Sequence, residues 1–274
     1  MRTVVARRNN GIEWMSYLPE FVANRVVFNA PGVVDHYANA TSLTEVEQEL
    51  FSSFIPGNSD ILDLGVGGGR TTPFLSTVAR SYVGVDYSEP MILRCRERFP
   101  ELEFHVLDAS DLSRFSDGSF DVVVFSFNGI DYIYPYAARL SCLKEVLRVL
   151  RPGGIFIFSG HNSRCISILP SLAGADVGRK VWRILRSAAL TAVRVPALLF
   201  QSAFYSGSGY VNDPVHGGLH TYVSTPELVE EELAASSFQL LKVVSDEPPR
   251  SAAPLLSRWF YYVARAEKSG GHAG

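Results

Sequence analysis

Asp63, Gly65, Gly67 and Gly69 fall on alternate positions in the run Ile61-Leu62-Asp63-Leu64-Gly65-Val66-Gly67-Gly68-Gly69-Arg70. Glycine serves where a backbone must take positive φ or approach a ligand closely. An acid beside such a loop can orient it or hold a cation by a charge-assisted hydrogen bond. A second acid, Asp86, follows 21 residues after Gly65, the distance at which a strand–loop–helix–strand unit offers an acceptor to ribose hydroxyls. The dinucleotide fingerprint G-x-G-x-x-G does not fit, because its third glycine would fall on Arg70 or Thr72. Candidate catalytic or substrate-binding groups lie farther on, at expected strand ends and in the insert: Asn128 and Asp131, His161 and Asn162, His216 and His220. Histidine titrates in the range useful for removing a proton. His161 is either such a base or a structural hydrogen-bonding group that pins a strand exit, and Asp131 is the second catalytic candidate.

The elements that must position these residues read as strands and helices in alternation. Ile61 to Leu64, Tyr82 to Asp86, Glu103 to Leu107, Phe120 to Phe125 and Ile155 to Phe158 are short apolar runs that read as buried strands. Met91 to Phe99, entered through Glu89-Pro90, and Ala137 to Leu150 read as helices between them. Ser42 to Glu47 opens a helix with acids in its first turn, and Thr225-Pro226-Glu227 opens another with Thr as N-cap. Gln239 to Ser245 and Arg258 to Ala266 read as a closing strand pair. The expected fold is α/β: a Rossmann-like doubly wound sheet, mostly parallel with an antiparallel closing edge, helices on both faces, and a helical cap and insert. Residues 1–56 form the N-terminal helical cap segment, with apolar spacing over Trp14 to Phe28; 57–162 and 222–267 form the core. Residues 163–221 form an inserted lid or substrate-binding segment, and 268–274 a disordered tail. Within the insert, 179–204 is helix-compatible, while 207–214 and 216–220 read as loops.

The glycine loop, Asp86 after strand two, Asp108 after strand three and Leu150-Arg151-Pro152-Gly153-Gly154 before strand five come in a fixed order. Over roughly residues 60 to 162 that order resembles the motifs of class I S-adenosylmethionine (SAM)-dependent methyltransferases. The resemblance implies SAM as cofactor and S-adenosyl-L-homocysteine as product. It implies that the backbone at Gly65, Gly67 and Gly69 approaches the methionine portion, and that Asp63 orients the loop and receives the SAM ammonium. It further implies that Asp86 accepts both ribose hydroxyls. Asp108 would accept from the adenine amino group, with Ala109 supplying a backbone N–H. Tyr87 and Met91 would pack on adenine, and Ser126 would join the same site. Tyr37 is either the aromatic such enzymes often place near SAM or a core residue of a cap helix; Met91 is either an adenine contact or a core methionine. Arg70 departs from the small or apolar residue expected there, and faces solvent, meets an acid, or contacts the SAM carboxylate.

Composition narrows the acceptor. With 25 Lys+Arg against 28 Asp+Glu, the chain has a formal net charge of −3 and no overall basic field for nucleic acid. Ser126-Phe127-Asn128-Gly129 lacks the prolines of the amino-methylating DNA enzymes, and Asp131 with Asn162 is an incomplete set for a metal-dependent catechol-type site. The three cysteines, Cys95, Cys142 and Cys165, have no ligand spacing, so no metal is expected. The N-terminus lacks the apolar core of a signal peptide, and 187–204 falls short of a membrane span. The expectation is a cytoplasmic enzyme without nucleic-acid or membrane partners, methylating an oxygen or nitrogen of a small molecule such as a specialised metabolite. The alternative is a SAM-binding protein of this fold with a non-methylating role, either a cyclisation or rearrangement catalyst or a regulatory subunit.

Overall fold

The computed structural model describes residues 20–165, 202–213, 219–245 and 257–268, with isolated helical positions between 178 and 192. The expectations for a helix before Glu20, for most of the helix over 179–204, for His216 and for the tail from residue 269 lie outside the described residues. The chain enters through α1 (Glu20–Phe28), α2 (Pro31–Asn39) and α3 (Glu45–Phe54). Thr44 caps α3: its hydroxyl accepts from the Glu47 N–H while the Glu47 carboxylate accepts from the Thr44 N–H, satisfying two end donors reciprocally. The core then alternates: β1 (Ser59–Leu64), α4 (Thr72–Val78), β2 (Ala79–Asp86), α5 (Glu89–Arg98), β3 (Glu103–Val106), β4 (Phe120–Phe125), α6 (Tyr136–Val149) and β5 (Leu150–Asn162). After α7 (Ser202–Ser206) come β6 (Ser208–Asp213), β7 (Leu219–Ser224), α8 (Pro226–Ala235), β8 (Phe238–Ser245) and β9 (Trp259–Ala266).

Strands β3-β2-β1-β4-β5 lie parallel in that order. The closing pair is antiparallel, β9 running along Ile155 to His161 of β5 and β8 along β9. This is the expected mostly parallel sheet with an antiparallel edge. Side chains alternate across it. Leu62, Leu64, Val123 and Phe158 join α6 and α8 through Leu143, Val146 and Leu233; Ile61, Val122, Val124 and Ile157 join α3 and α5 through Leu50, Phe51 and Ile92. Both faces are covered, which is why the strands read as continuous apolar runs rather than as alternation. No helix among the described residues is long and apolar enough to cross a membrane.

The structure corrects two readings. The segments expected as loops over 207–214 and 216–220 supply β6 and β7, an antiparallel hairpin pairing Tyr210 with Tyr222 and Asn212 with His220. Gly207 and Asn212 suggested turns, but Tyr210, Val211, Thr221, Tyr222 and Val223 have the β-branched and aromatic side chains that suit a pleated surface. Strand β5 is also longer than expected. His161 pairs with Trp259 of β9 on one edge and Val223 of β7 on the other. Its pairing with β4 ends at Phe158, so β7 continues along β4's edge beyond the end of β4. The hairpin therefore stands over the carboxyl end of β4.

A buried ion network fastens the turn after β4 to α6 and α8. Arg139 of α6 is paired with Asp131 and with Glu232 of α8, the three side chains being 1 %, 3 % and 8 % exposed. The guanidinium also donates to the Ile130 carbonyl and lies over the Tyr222 ring. Breaking a buried network by removing one partner leaves charge without compensation and costs about 3–5 kcal/mol. Arg139→Leu is expected to lower unfolding free energy by that order in urea titration; an unchanged midpoint would contradict this account of the network.

Candidate functional site

A cavity of about 360 Å³ opens at the carboxyl ends of β1, β2 and β4, the end at which open α/β sheets take ligands. Its floor is the glycine loop. Gly65, Gly67 and Gly69 have φ of 59°, 54° and 82°. A Cβ on Gly65 would lie 2.5 Å from the Phe125 ring, so both the dihedral and the space demand glycine there. Gly68, whose φ is ordinary, is required by close approach instead: a Cβ would lie 2.4 Å from the Ala38 Cα on α2. Thus α2 is pressed directly onto the loop, and Tyr37 on the same helix lines the cavity.

The loop is tied to the end of β2. Gly67 N–H donates to Asp86 Oδ2 at 3.0 Å, and Ser88 N–H donates to Asp86 Oδ1 at 2.8 Å. Val66 N–H meets the Val85 carbonyl, and the Cys95 thiol of α5 donates to the Gly67 carbonyl at 3.1 Å. Burial pushes the Asp86 carboxyl up to about 6, against the two backbone hydrogen bonds that lower it. Asp63 is likewise pushed up to about 6 by burial, offset in part by hydrogen bonds from Thr71 and Tyr82. Those bonds, at 2.5 and 2.8 Å to Asp63 Oδ2, link β1 to the start of α4 and to β2. Asp108 sits at the cavity edge in a turn, its Oδ1 accepting from the Ser110 N–H and hydroxyl.

Nine of the residues read from sequence line this one cavity: Tyr37, Gly65, Gly67, Asp86, Tyr87, Met91, Asp108, Ala109 and Ser126. Asp63, Gly69, Asp131 and His161 are not among the lining residues. Asp63 braces the loop through Thr71 and Tyr82, and Gly69 closes it by donating its N–H to the Val66 carbonyl. Asp131 and His161 sit one ring behind the wall: Tyr132 lines the cavity and packs edge-on against His161, the ring centroids 5.7 Å apart. Asp131 has one oxygen on Arg139 and the other on the His161 backbone N–H at 2.6 Å and on Nδ1 at 3.0 Å. Arg70 lines the cavity and meets an acid, forming a two-pronged pair with Glu47, each N–O distance 2.6 Å, while its guanidinium lies 4.4 Å over the Phe127 ring. Asn162 is turned away, donating to the Ser257 carbonyl, and His220 lies in β7.

Sequence reasoning missed the aromatic roof and its fastening. Phe28 of α1 stands between Tyr37, Tyr87 and Tyr132 at centroid distances of 6.0, 6.2 and 5.1 Å. Asn24, buried on the same helix, donates to the Tyr132 and His220 carbonyls and accepts from the His220 N–H. One side chain thus joins α1, the turn after β4 and the β6–β7 hairpin over the cavity. The only local signal was an amide among the apolar positions of α1.

With this geometry in place, comparison with known proteins is decisive for the core. Residues 61–154 match the family model described as methyltransferase domain. Over those residues the chain carries a methyltransferase domain, and its fold is similar to that of class I, Rossmann-like SAM-dependent methyltransferases. A Mycolicibacterium smegmatis protein named "Probable S-adenosylmethionine-dependent methyltransferase" is 36% identical over 103 residues, 38% of each chain. The demethylmenaquinone methyltransferase of Beutenbergia cavernae is 42% identical over 103 residues, 38% of this chain and 41% of that one. These matches span about two-fifths of the relatives' length. The fold extends farther: the 1,6-didemethyltoxoflavin-N1-methyltransferase of Burkholderia thailandensis, crystallised with S-adenosylhomocysteine, superposes with a TM-score of 0.58 over 97% of this chain and 94% of that one, at 16% identity. SAM is the cofactor of this family, and the present residues suit it: the cavity offers two buried carboxylate oxygens at Asp86 and a glycine loop whose backbone faces the space.

The raised carboxyls give the cofactor site a pH signature. A folded pKa above the unfolded 3.8 means the protonated carboxyl favours the folded state; that contribution is full below about 3.8 and is lost as pH rises through about 6. A cationic ligand that donates hydrogen bonds favours the ionised carboxylate and offsets the loss. The thermal shift produced by saturating SAM is therefore expected to grow between about pH 5 and pH 7. A shift that is constant or shrinks over that window would contradict the assignment.

Proposed function

We propose that this chain transfers the methyl group of SAM to an oxygen or nitrogen atom of a small molecule. The observation that carries the reading is the single cavity in which the glycine loop, Asp86 and the Asp108–Ala109 turn converge from three strand ends. Asp86 would accept the ribose hydroxyls, having two oxygens on one rigid strand end. Asp108 and Ala109 would meet adenine, with Tyr87 and Met91 beside it. Asp63 would act by bracing the loop through Thr71 and Tyr82, a role its buried bonds favour over direct contact with the SAM ammonium. The acceptor would occupy the aromatic end, where Phe28, Phe127, Tyr132 and Tyr134 line the wall. Such a wall suits a compact, largely apolar acceptor, and the name of the Beutenbergia relative specifies a small molecule, demethylmenaquinone. The net charge of −3 accords with a small-molecule acceptor rather than nucleic acid.

SAM supplies an electrophilic methyl group on a good leaving group, so what the chain must do is orient the acceptor and exclude water. Where the acceptor carries a proton, His161 would be the base, reached once Tyr132, which stands between it and the cavity, turns aside. The His161 side chain is 17 % exposed, and Asp131 at Nδ1 would fix its orientation rather than touch the acceptor.

The test is S-adenosylhomocysteine release in a screen of hydroxyl- and amine-bearing small molecules, paired with calorimetry of SAM binding. Turnover with at least one acceptor is expected. Asp86→Ala should weaken SAM binding by about 10–100-fold, since a hydrogen bond to a charged group is worth about 1.5–3 kcal/mol. Unchanged SAM affinity in that variant would overturn the site, and tight SAM binding without any product would favour the non-methylating alternative.

A further inference from the structure

His161 stands at the end of a buried line of hydrogen bonds that begins at Glu232 on α8. Glu232 accepts from Arg139 Nε and Nη2 at 3.0 to 3.2 Å. Arg139 Nη1 donates to Asp131 Oδ1 at 2.9 Å, and Asp131 Oδ2 faces His161 Nδ1 at 3.0 Å. An ionised carboxylate only accepts, so the proton must be on Nδ1 and the neutral ring must leave Nε2 bare. Nε2 lies 3.3 Å from Asn128 Nδ2, which donates to it in that form.

Asn128 carries a second, independent mark. It is 4 % exposed, and its Oδ1 is buried with no hydrogen-bond partner among the described residues. The backbone holds it there at some strain: Phe127 and Asn128 have φ of 56° and 61°, and Asn128 N–H donates to the Ser159 hydroxyl at 2.9 Å. An orphaned acceptor beside a bare imidazole nitrogen is the arrangement that a half-turn of the amide converts into a partner for a protonated ring.

We propose that Arg139 and Asp131 are positioning residues that hold His161 in the Nδ1–H form, and that the Asn128 amide turns over when Nε2 takes up a proton. The inference rests on the methyl transfer proposed above with His161 as base. In that step the acceptor's O–H or N–H bond breaks and its proton moves to Nε2. The acceptor's electron pair forms the new bond to the methyl carbon, and the pair of the broken carbon–sulfur bond stays on sulfur, giving S-adenosylhomocysteine. The imidazolium Nε2–H then donates to Asn128 Oδ1.

The experiment is nitrogen NMR of histidine-labelled protein bound to S-adenosylhomocysteine, in the wild type and in Asp131→Asn. Arg139 only donates, so it would take the oxygen of the new amide and turn its NH₂ toward His161. The wild type is expected to show the neutral ring protonated on Nδ1, and the variant on Nε2. With the acceptor found by the product-release screen, kcat of Asp131→Asn should fall toward that of His161→Gln, a loss of about 10²–10⁴-fold, with SAM affinity unchanged. A wild-type ring protonated on Nε2 overturns the inference even if the variant fails to fold. A changed tautomer with unchanged kcat also overturns it while leaving the methyltransferase reading intact. If SAM binds and no acceptor turns over, the functional reading fails, and the NMR result still decides the positioning of His161.

Discussion

The bond between Gly67 N–H and the Asp86 carboxylate joins the loop after β1 to the end of β2, and the shape of the cavity follows from it. Two neighbouring parallel strands end side by side, so the loop leaving one can be anchored by a group presented by the other. Asp86 provides that group, fixed in turn by Ser88 N–H. Everything above the loop is placed against this floor. Gly68 admits α2 to near contact, α2 carries Tyr37, and Phe28 bridges Tyr37 to Tyr87 and Tyr132. The energetic cost of burying the Asp63 and Asp86 carboxyls is visible in their raised pKa values. A site that buries charge before its ligand arrives is one that gains when a cation and hydrogen-bond donors enter.

The floor of the cavity was legible in the sequence because its constraints are local. Glycine spacing, an acid at a strand end and a proline at a helix start each report a backbone requirement within a few residues, and Gly65, Asp86 and Asp108 fell where the spacing put them. Strands buried on both faces also declare themselves, as β1, β4 and β9 do. The acceptor end was not legible for the opposite reason. Its parts come from α1, the turn after β4, and β7, far apart in sequence and joined by side chains such as Asn24 that carry no spacing signal. The β6–β7 hairpin was misread because glycine and asparagine suggest turns, whereas the edge of β5 beyond β4 supplied a partner that no local pattern could announce.

The same limit applies to Asp131. As a sequence feature it was an acid after strand four, free to act on an acceptor. In the fold it is bound on both oxygens, to Arg139 and to His161, and its influence passes through those partners. The fold thus sets a cavity made by strand ends beside a buried ion-paired network that joins α6, α8 and the turn after β4. The two meet at Tyr132, which lines the cavity on one side and packs against His161 on the other.

The most direct measurement is a crystal structure of the full chain with S-adenosylhomocysteine. The account predicts the ligand in the cavity above Gly65 to Gly68, with its ribose hydroxyls at hydrogen-bond distance, about 2.5–3.0 Å, from the Asp86 carboxylate and the adenine against the Asp108–Ala109 turn. A ligand bound elsewhere on the sheet, or seated in this cavity with its ribose away from Asp86, would contradict it.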